Sequence, residues 1–225
     1  MKDSKTYSQK IIKLFRSLKQ KHAGVKEVGY EDPAYAVVYA IVSEHTHGKT
    51  AKTVLRRIEK HCVDLNDLRV SRTEEVLDLL GSRGEESRKT ARVLTQVLNS
   101  IYNRYNMVSL SSLLSVGKRQ ARKQLEKLEG LSRFAVSYCF LTALRGHSIP
   151  LTDKMISYLR ARELVHPDAT EDEISGFLER QITAAKAYEF YRLLRRESEK
   201  ARKSRSKKAK KATKKPDNKS GGKDG

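Results

Sequence analysis

One stretch constrains this chain more than any other. Asp32-Pro33 is followed by AYAVVYAIV, which is apolar on nearly every face. An Asp before a Pro is an N-cap and first-turn signal, so the stretch reads as a helix. A helix without a polar side has to be enclosed by other elements, in the middle of a core. The chain must therefore supply a shell of further helices.

The rest of the sequence supplies them. Ile11, Ile12, Leu14, Phe15 and Leu18 recur at helical spacing, as do Val54, Leu55, Ile58 and Cys62. Ser71 and Glu74 read as a capping box ahead of Val76, Leu77, Leu79 and Leu80, with Gly81 closing that short helix. Ala91, Leu94, Leu98, Ile101, Tyr102 and Tyr105 mark a long helix. Thr170 and Glu173 cap another that carries Ile174, Phe177, Leu178 and Ile182. A final one holds Ala187, Phe190, Tyr191 and Leu194. No sustained period-two alternation occurs, so the expected fold class is all-α with short connections.

Charge divides the chain. Its 225 residues carry 47 Lys and Arg against 27 Asp and Glu, a formal net charge of +20. Residues 200–225 hold twelve cations and two Asp, a charge of +10, with no Val, Ile, Leu, Met or aromatic residue. Such a segment buries too little apolar surface to offset its ordering entropy and is expected to be disordered. The first 199 residues carry 35 cations and 25 anions, another +10. The expected organisation is an N-terminal helix and lead-in (1–30), a helical domain (31–199) and a Lys/Arg-rich tail (200–225). The tail reads as a non-specific phosphate-binding arm acting through counterion release, as a nuclear localisation signal, or as a solubilising extension. The overall balance points to a polyanion, most often nucleic acid.

Two cysteines are too few for a disulfide scaffold, a four-cysteine zinc site or a four-cysteine iron–sulfur cluster. No run of 18 apolar residues is present to span a membrane, and the start lacks a signal peptide's apolar stretch. An intracellular location is expected, cytoplasm or nucleoid, or the nucleus in a eukaryote.

The most informative segment is 118–160. It reads as a helix ending near Leu128, a tight turn at Glu129-Gly130-Leu131, and a second helix capped by Ser132. Such a hairpin presents unpaired N–H groups at the positive end of the second helix, which suits a phosphate. Lys118, Arg119, Arg122, Lys123 and Arg133 add charge nearby. The plainer reading is an ordinary corner between two helices.

These residues resemble a known family. Leu125-Glu126-Lys127-Leu128-Glu129-Gly130-Leu131-Ser132-Arg133 is similar to the helix-hairpin-helix of the endonuclease III-like (HhH-GPD) DNA glycosylases. Ile149-Pro150-Leu151-Thr152-Asp153-Lys154 stands at the distance of that family's next motif. Residues 32–46 resemble its early core helix, and Asn66–Ser71 with Glu74-Glu75-Val76 also look like segments of it. The resemblance spans roughly residues 30–195. It implies a two-lobed all-α fold, a hairpin that grips double-stranded DNA, possibly damaged, and a base flipped into an interlobe cleft.

The sequence departs from the family where chemistry is done. Phe134 stands at the position of the family's nucleophilic Lys, and a phenyl ring has no lone pair to form a Schiff base. No abasic-site lyase activity is expected. Thr152 stands at the family's catalytic Asp, with Asp153 one residue on, a rotation of about 100° on a helix. Asp153 reads either as a weak catalytic candidate or as a helix-start charge favoured by the dipole. No Cys follows Cys139, so no iron–sulfur cluster and no other cofactor is expected; Cys139 and Cys62 read as packed core. Glu44 falls near the family's gap-filling Gln, where an anion facing phosphates is disfavoured.

Other candidates weigh less. His45 and His47 bracket Thr46 beside Glu44, but a third metal ligand is not evident, so no metal is expected. Tyr7, Tyr102, Tyr105, Tyr188 and Tyr191 are candidates for stacking on bases or, more simply, amphipathic helix edges. The sequence thus implies a monomeric DNA-binding protein of base-excision-repair type with weakened or absent catalysis. The alternatives are an active monofunctional glycosylase using Asp153, and an RNA- or chromatin-associated architectural protein.

Overall fold

The computed structural model describes residues 4–22 and 24–212. Eleven α-helices and one short 3-10 turn follow one another in the described residues: α1 (Ser4–Lys21), α2 (Pro33–His45), α3 (Gly48–His61), α4 (Leu65–Val70), α5 (Thr73–Leu80), α6 (Glu85–Tyr105), the 3-10 turn (Ser111–Leu114), α7 (Lys118–Leu125), α8 (Arg133–Thr142), α9 (Asp153–Ala161), α10 (Glu171–Gln181) and α11 (Ala184–Ala212). No described helix is long and apolar enough to cross a membrane.

The all-apolar helix is where its composition requires. Asp32 Oδ1 accepts from the Ala34 N–H at 2.8 Å, and Pro33 opens α2. Ala36 through Ser43 are all buried. The main partner of α2 is α8, the second helix with no polar face. The two run antiparallel, since Glu44 meets Ser132 at one end and the Cys139 thiol meets the Pro33 carbonyl at the other. Ala36, Ala40, Ala135 and Cys139 are small, which lets the two backbones approach.

The packing falls into two groups. Helices α2 to α8 contact one another around α2, while α1, α9, α10 and α11 form a second group joined to the first through α8 and α11. The lead-in helix is built into this second group: Ile11, Phe15 and Leu18 of α1 are buried against α10 and α11.

Local signals place most ends. Gly81 closes α5 with a φ of 71°, and Thr170 with Glu173 forms a reciprocal box on α10. The box expected at Ser71 and Glu74 is one residue later: Glu75 Oε2 accepts from the Arg72 N–H at 2.7 Å. The Ser71 hydroxyl is instead taken by the Asp67 carbonyl at the end of α4. Cys62 is half-buried at the end of α3 rather than in the core, whereas Cys139 is fully buried. The last helix does not stop at Lys200 but continues to Ala212. Lys, Arg and Ala are good helix formers, and extending a standing helix needs no new nucleus. The remainder of the expected tail, 213–225, lies outside the described residues.

Candidate nucleic-acid interface

The hairpin is present at the expected residues. After α7, the Leu128 N–H donates to the Leu125 carbonyl at 3.0 Å and the Leu131 N–H to the Leu128 carbonyl at 3.3 Å. Gly130 has a φ of 80°, a conformation side chains rarely adopt. A Cβ there would also stand 2.9 Å from the Gln96 side chain. The turn is held to α6 by the Glu129 N–H, which donates to Ser100 Oγ at 3.0 Å. Ser132 caps α8, its hydroxyl accepting from the Ala135 N–H at 3.1 Å. The first-turn N–H groups of Arg133 and Phe134 are left without intrahelical acceptors.

Four helix ends converge on this turn. The Ser132 hydroxyl donates to Glu44 Oε2, at the end of α2, over 2.7 Å. Arg133 forms an ion pair with Asp172 in the first turn of α10. Lys154, in the first turn of α9, donates to the His45 carbonyl at 3.4 Å. Glu171 has its pKa raised by burial, with Arg133 opposing and Asp153 and Glu44 adding to the shift. Glu44, Asp153, Glu171 and Asp172 therefore gather around the start of α8. Three of these carboxylates sit at helix N-termini, where the dipole favours them.

Each site residue expected from the sequence now has a location. Lys118 and Arg119 are exposed at the start of α7, beside a shallow depression shared with Lys123. Lys118 Nζ also donates to the Arg145 carbonyl at 2.6 Å. Glu44 is turned to the Ser132 hydroxyl rather than standing free. Arg133 is not a free cation either, being paired with Asp172. Thr152 is 6% exposed and caps α9, accepting from the Met155 N–H at 3.4 Å. Asp153 is exposed on the first turn of the same helix. His47 lies 3.6 Å from Glu199, and no cluster of three His, Cys, Asp or Glu side chains suited to a metal occurs among the described residues.

Phe134 is 2% exposed and sits in an aromatic cluster. Its ring stacks on Tyr138 at 6.1 Å and tilts against Tyr191 at 6.4 Å. Tyr138 in turn meets Tyr39 and Tyr30, and the Tyr30 and Tyr138 hydroxyls share a hydrogen bond of 2.9 Å. Tyr188 and Tyr191, considered above as stacking platforms, are buried. Tyr102 is exposed, with the Arg69 guanidinium 4.1 Å from its ring centroid.

Sequence patterning did not reveal Arg195. Its guanidinium, 3% exposed, donates to the Ser43 and Thr46 carbonyls, to the Tyr191 hydroxyl at 2.7 Å and to Glu199 at 3.1 Å. It also lies 5.4 Å from the Phe134 ring centroid. A cation there satisfies orphan carbonyls at the end of α2 and favours its negative pole. One Arg among 47 cations carries no local mark of that role, because the carbonyls it caps are 152 and 149 positions away.

The arrangement defines a class: the chain has the endonuclease III-like fold of the helix-hairpin-helix DNA glycosylases. No family model and no curated protein matches the chain. Solved structures do. A trapped endonuclease III–DNA covalent intermediate superposes with a TM-score of 0.65 at 16% identity, covering 83% of this chain and 84% of that one. The Clostridium acetobutylicum 8-oxoguanine glycosylase/lyase, in complex with duplex DNA, gives 0.66 at 14%, covering 89% and 71%. The H. pylori 3-methyladenine DNA glycosylase gives 0.60 at 16%, covering 83% and 94%. At these identities the shared property is the fold.

Proposed function

We propose that this protein binds duplex DNA through the hairpin at 126–133, as a repair-type recognition protein that does not cleave the strand. The fold neighbours include proteins captured on DNA. The observation that carries the non-cleaving part is the fate of two positions. At the first, Phe134 is packed among Tyr138, Tyr191 and Arg195, with no amine to attack a sugar. At the second, Thr152 is spent on capping α9 and carries no charge to stabilise a cationic sugar. Phosphate would meet the free N–H groups of α8 together with Arg133, which has to exchange Asp172 for the incoming oxygen. Lys118 and Arg119 add attraction from α7. The protein is proposed to act as a monomer without a cofactor, in an intracellular setting.

One observation favours a second reading, an active monofunctional glycosylase. Asp153 is exposed beside the hairpin, and the neighbouring Glu171 has a raised pKa. A carboxyl group whose proton affinity burial has raised is what general-acid chemistry on a glycosidic bond uses.

Two measurements separate the readings. Binding by the full chain is compared for a duplex with an abasic analogue, an intact duplex and RNA. The proposal expects tighter binding to the abasic duplex, and equal affinity for all three overturns it in favour of an architectural role. Single-turnover base release is then assayed over a lesion panel with enzyme in excess. Release that is lost in Asp153→Asn establishes the glycosylase instead.

A further inference from the structure

A second charged feature lies away from the hairpin. Two cavities adjoin at Lys52 and Arg192, which line both, and are treated together as one cleft. The larger, 630 Å3, is lined by the half-buried Tyr30 and Tyr35, by the edges of the buried Tyr39 and Tyr138, and by the carboxylates Glu31, Asp32 and Glu59, which keep a phosphate out of this chamber. The smaller, 360 Å3, is enclosed by the segment at 24–26, the first turns of α3 and the middle of α11. Its cations are Lys26, Lys49, Lys52, Arg192 and Arg196, together with Arg195, which is already committed to α2. Its one carboxylate, Glu199, is engaged by Arg195, His47 and the Gly48 N–H. Positive charge is therefore in surplus in the smaller chamber, with the exposed Lys26, Lys49, Lys52 and Arg196 at its rim and the half-buried Arg192 deeper.

Two polar groups at the junction lack partners. Arg192 is half-buried and lines both chambers, yet forms no hydrogen bond or ion pair among the described residues. The Tyr39 hydroxyl is buried with no hydrogen-bond partner, and Tyr39 is 3% exposed. It lies 3.6 Å from where a Cβ on Gly48 would stand, and Arg192 Nη1 lies 3.9 Å from the same point. The orphan hydroxyl, the unpaired guanidinium and the start of α3 thus meet at one place. His47 places no side-chain cap on α3; the Gly48 N–H is taken by Glu199, and the N–H groups of Lys49 and Thr50 add to the attraction for an anion. Buried polar groups in native proteins are normally paired, and an unpaired one calls for a missing partner.

We propose that this cleft binds a nucleotide that ends in a phosphate monoester. The phosphate sits where the two chambers adjoin, against Arg192 and beside Gly48, with Lys49 and Arg196 on its outer side, and accepts from the Tyr39 hydroxyl. The sugar and base extend along the half-buried rings of Tyr30 and Tyr35 in the larger chamber, where stacking tolerates any base. A monoester, not a through-running diester, fits the charge: it carries close to −2 at neutral pH, with a second pKa of about 6, whereas a diester carries −1. The same chemistry is offered by a free mononucleotide and by the phosphorylated end of a strand. This site is independent of the hairpin.

The test uses the full chain at low salt, with binding followed by calorimetry. The probes are 5′-AMP, adenosine, inorganic phosphate, and a short single strand with or without a 5′-phosphate. The expected result is 5′-AMP binding at least about tenfold tighter than adenosine or phosphate, weakening as pH falls below about 6 as the monoester gains a proton. Lys49→Gln and Arg196→Gln change exposed side chains, so folding is retained, and each is expected to weaken 5′-AMP by about tenfold. Tyr39→Phe is expected to weaken it without lowering the melting temperature, because the lost hydroxyl had no partner to leave behind. A phosphorylated strand that outbinds both 5′-AMP and its hydroxyl counterpart assigns the site to strand ends. Equal binding of that strand and 5′-AMP assigns it to nucleotides. Adenosine equal to 5′-AMP, or Lys49→Gln and Arg196→Gln both without effect, overturns the proposal. Gly130→Ala, aimed at the hairpin, is expected to leave 5′-AMP binding unchanged, so the failure of one site is not read as failure of the other.

Discussion

Replacing Arg195 with Met tests the joint between α11 and the end of α2. Met keeps most of the aliphatic volume and removes every donor. The buried Ser43 carbonyl and the Tyr191 hydroxyl then lose their partner, and Glu199 loses a charge 3.1 Å away. A buried polar group left unsatisfied costs about 1–3 kcal/mol, more when charge is involved. Two such groups and a weakened carboxylate give about 4 kcal/mol. Replacing a whole buried ion network by hydrophobes is often neutral, but this change removes one side only and strands the acceptors. For a chain of this size about 4 kcal/mol corresponds to a fall in melting temperature of about 8–16 °C. Urea unfolding followed by far-ultraviolet circular dichroism measures it, with the exposed neighbour Arg196→Met as control, expected within about 0.5 kcal/mol of the parent. A loss below about 1 kcal/mol for Arg195→Met would refute the capping argument, since the carbonyls would then be finding partners elsewhere.

Three further outcomes are expected. Glu171→Gln stabilises the fold slightly at neutral pH. Burial raises the folded pKa of Glu171 above its ordinary 4.5, so the ionised side chain costs stability that is regained as pH falls through that raised value. Melting temperatures at pH 7 and pH 4 should show the gain at pH 7 alone, and an equal gain at both rejects it. Gly130→Ala forces a side chain to a φ of 80° against Gln96. It should cost about 1–2 kcal/mol and weaken duplex binding in filter or anisotropy titrations, and unaltered duplex binding would remove the hairpin from the interface. A chain ending at Glu199 should bind duplex with a shallower dependence on salt, because each tail cation on a phosphate adds about 0.9 to the slope; an unchanged slope rejects the arm.

The fold was legible where structure is dictated locally. Asp32-Pro33 before an all-apolar run leaves one reading, and a Gly closing a short helix leaves little choice. The hairpin was legible because its glycine and its cap are adjacent in sequence. The box expected at Ser71 stands one residue later because Ser71 closes α4, its N–H and hydroxyl both donating to the Asp67 carbonyl, a use invisible without the three-dimensional path. The site was less legible. That Arg133 pairs with Asp172 and that Glu44 receives the Ser132 hydroxyl depends on α2, α8, α9 and α10 meeting at their ends. Nothing in a one-dimensional pattern encodes such a meeting. The same holds for Arg192 and Tyr39, ordinary residues until packing sets an orphan hydroxyl beside an unpaired guanidinium.

The tyrosine cluster has a consequence at high pH. Burial pushes the phenol of Tyr188 up to about 12, and those of Tyr30, Tyr138 and Tyr191 are also raised. The folded chain keeps these protons through the range in which exposed phenols lose theirs. The unfolded chain releases them near pH 10, so stability is full below pH 10 and drains away above it, several residues at once. Because the chain has no Trp, its near-ultraviolet absorbance is almost purely that of ten tyrosines. An alkaline titration should therefore resolve two classes, one ionising reversibly near pH 10 and one appearing only as the helices melt. The second class would count, by absorbance alone, the phenols that burial protects, among them Tyr138 and Tyr191 against Phe134.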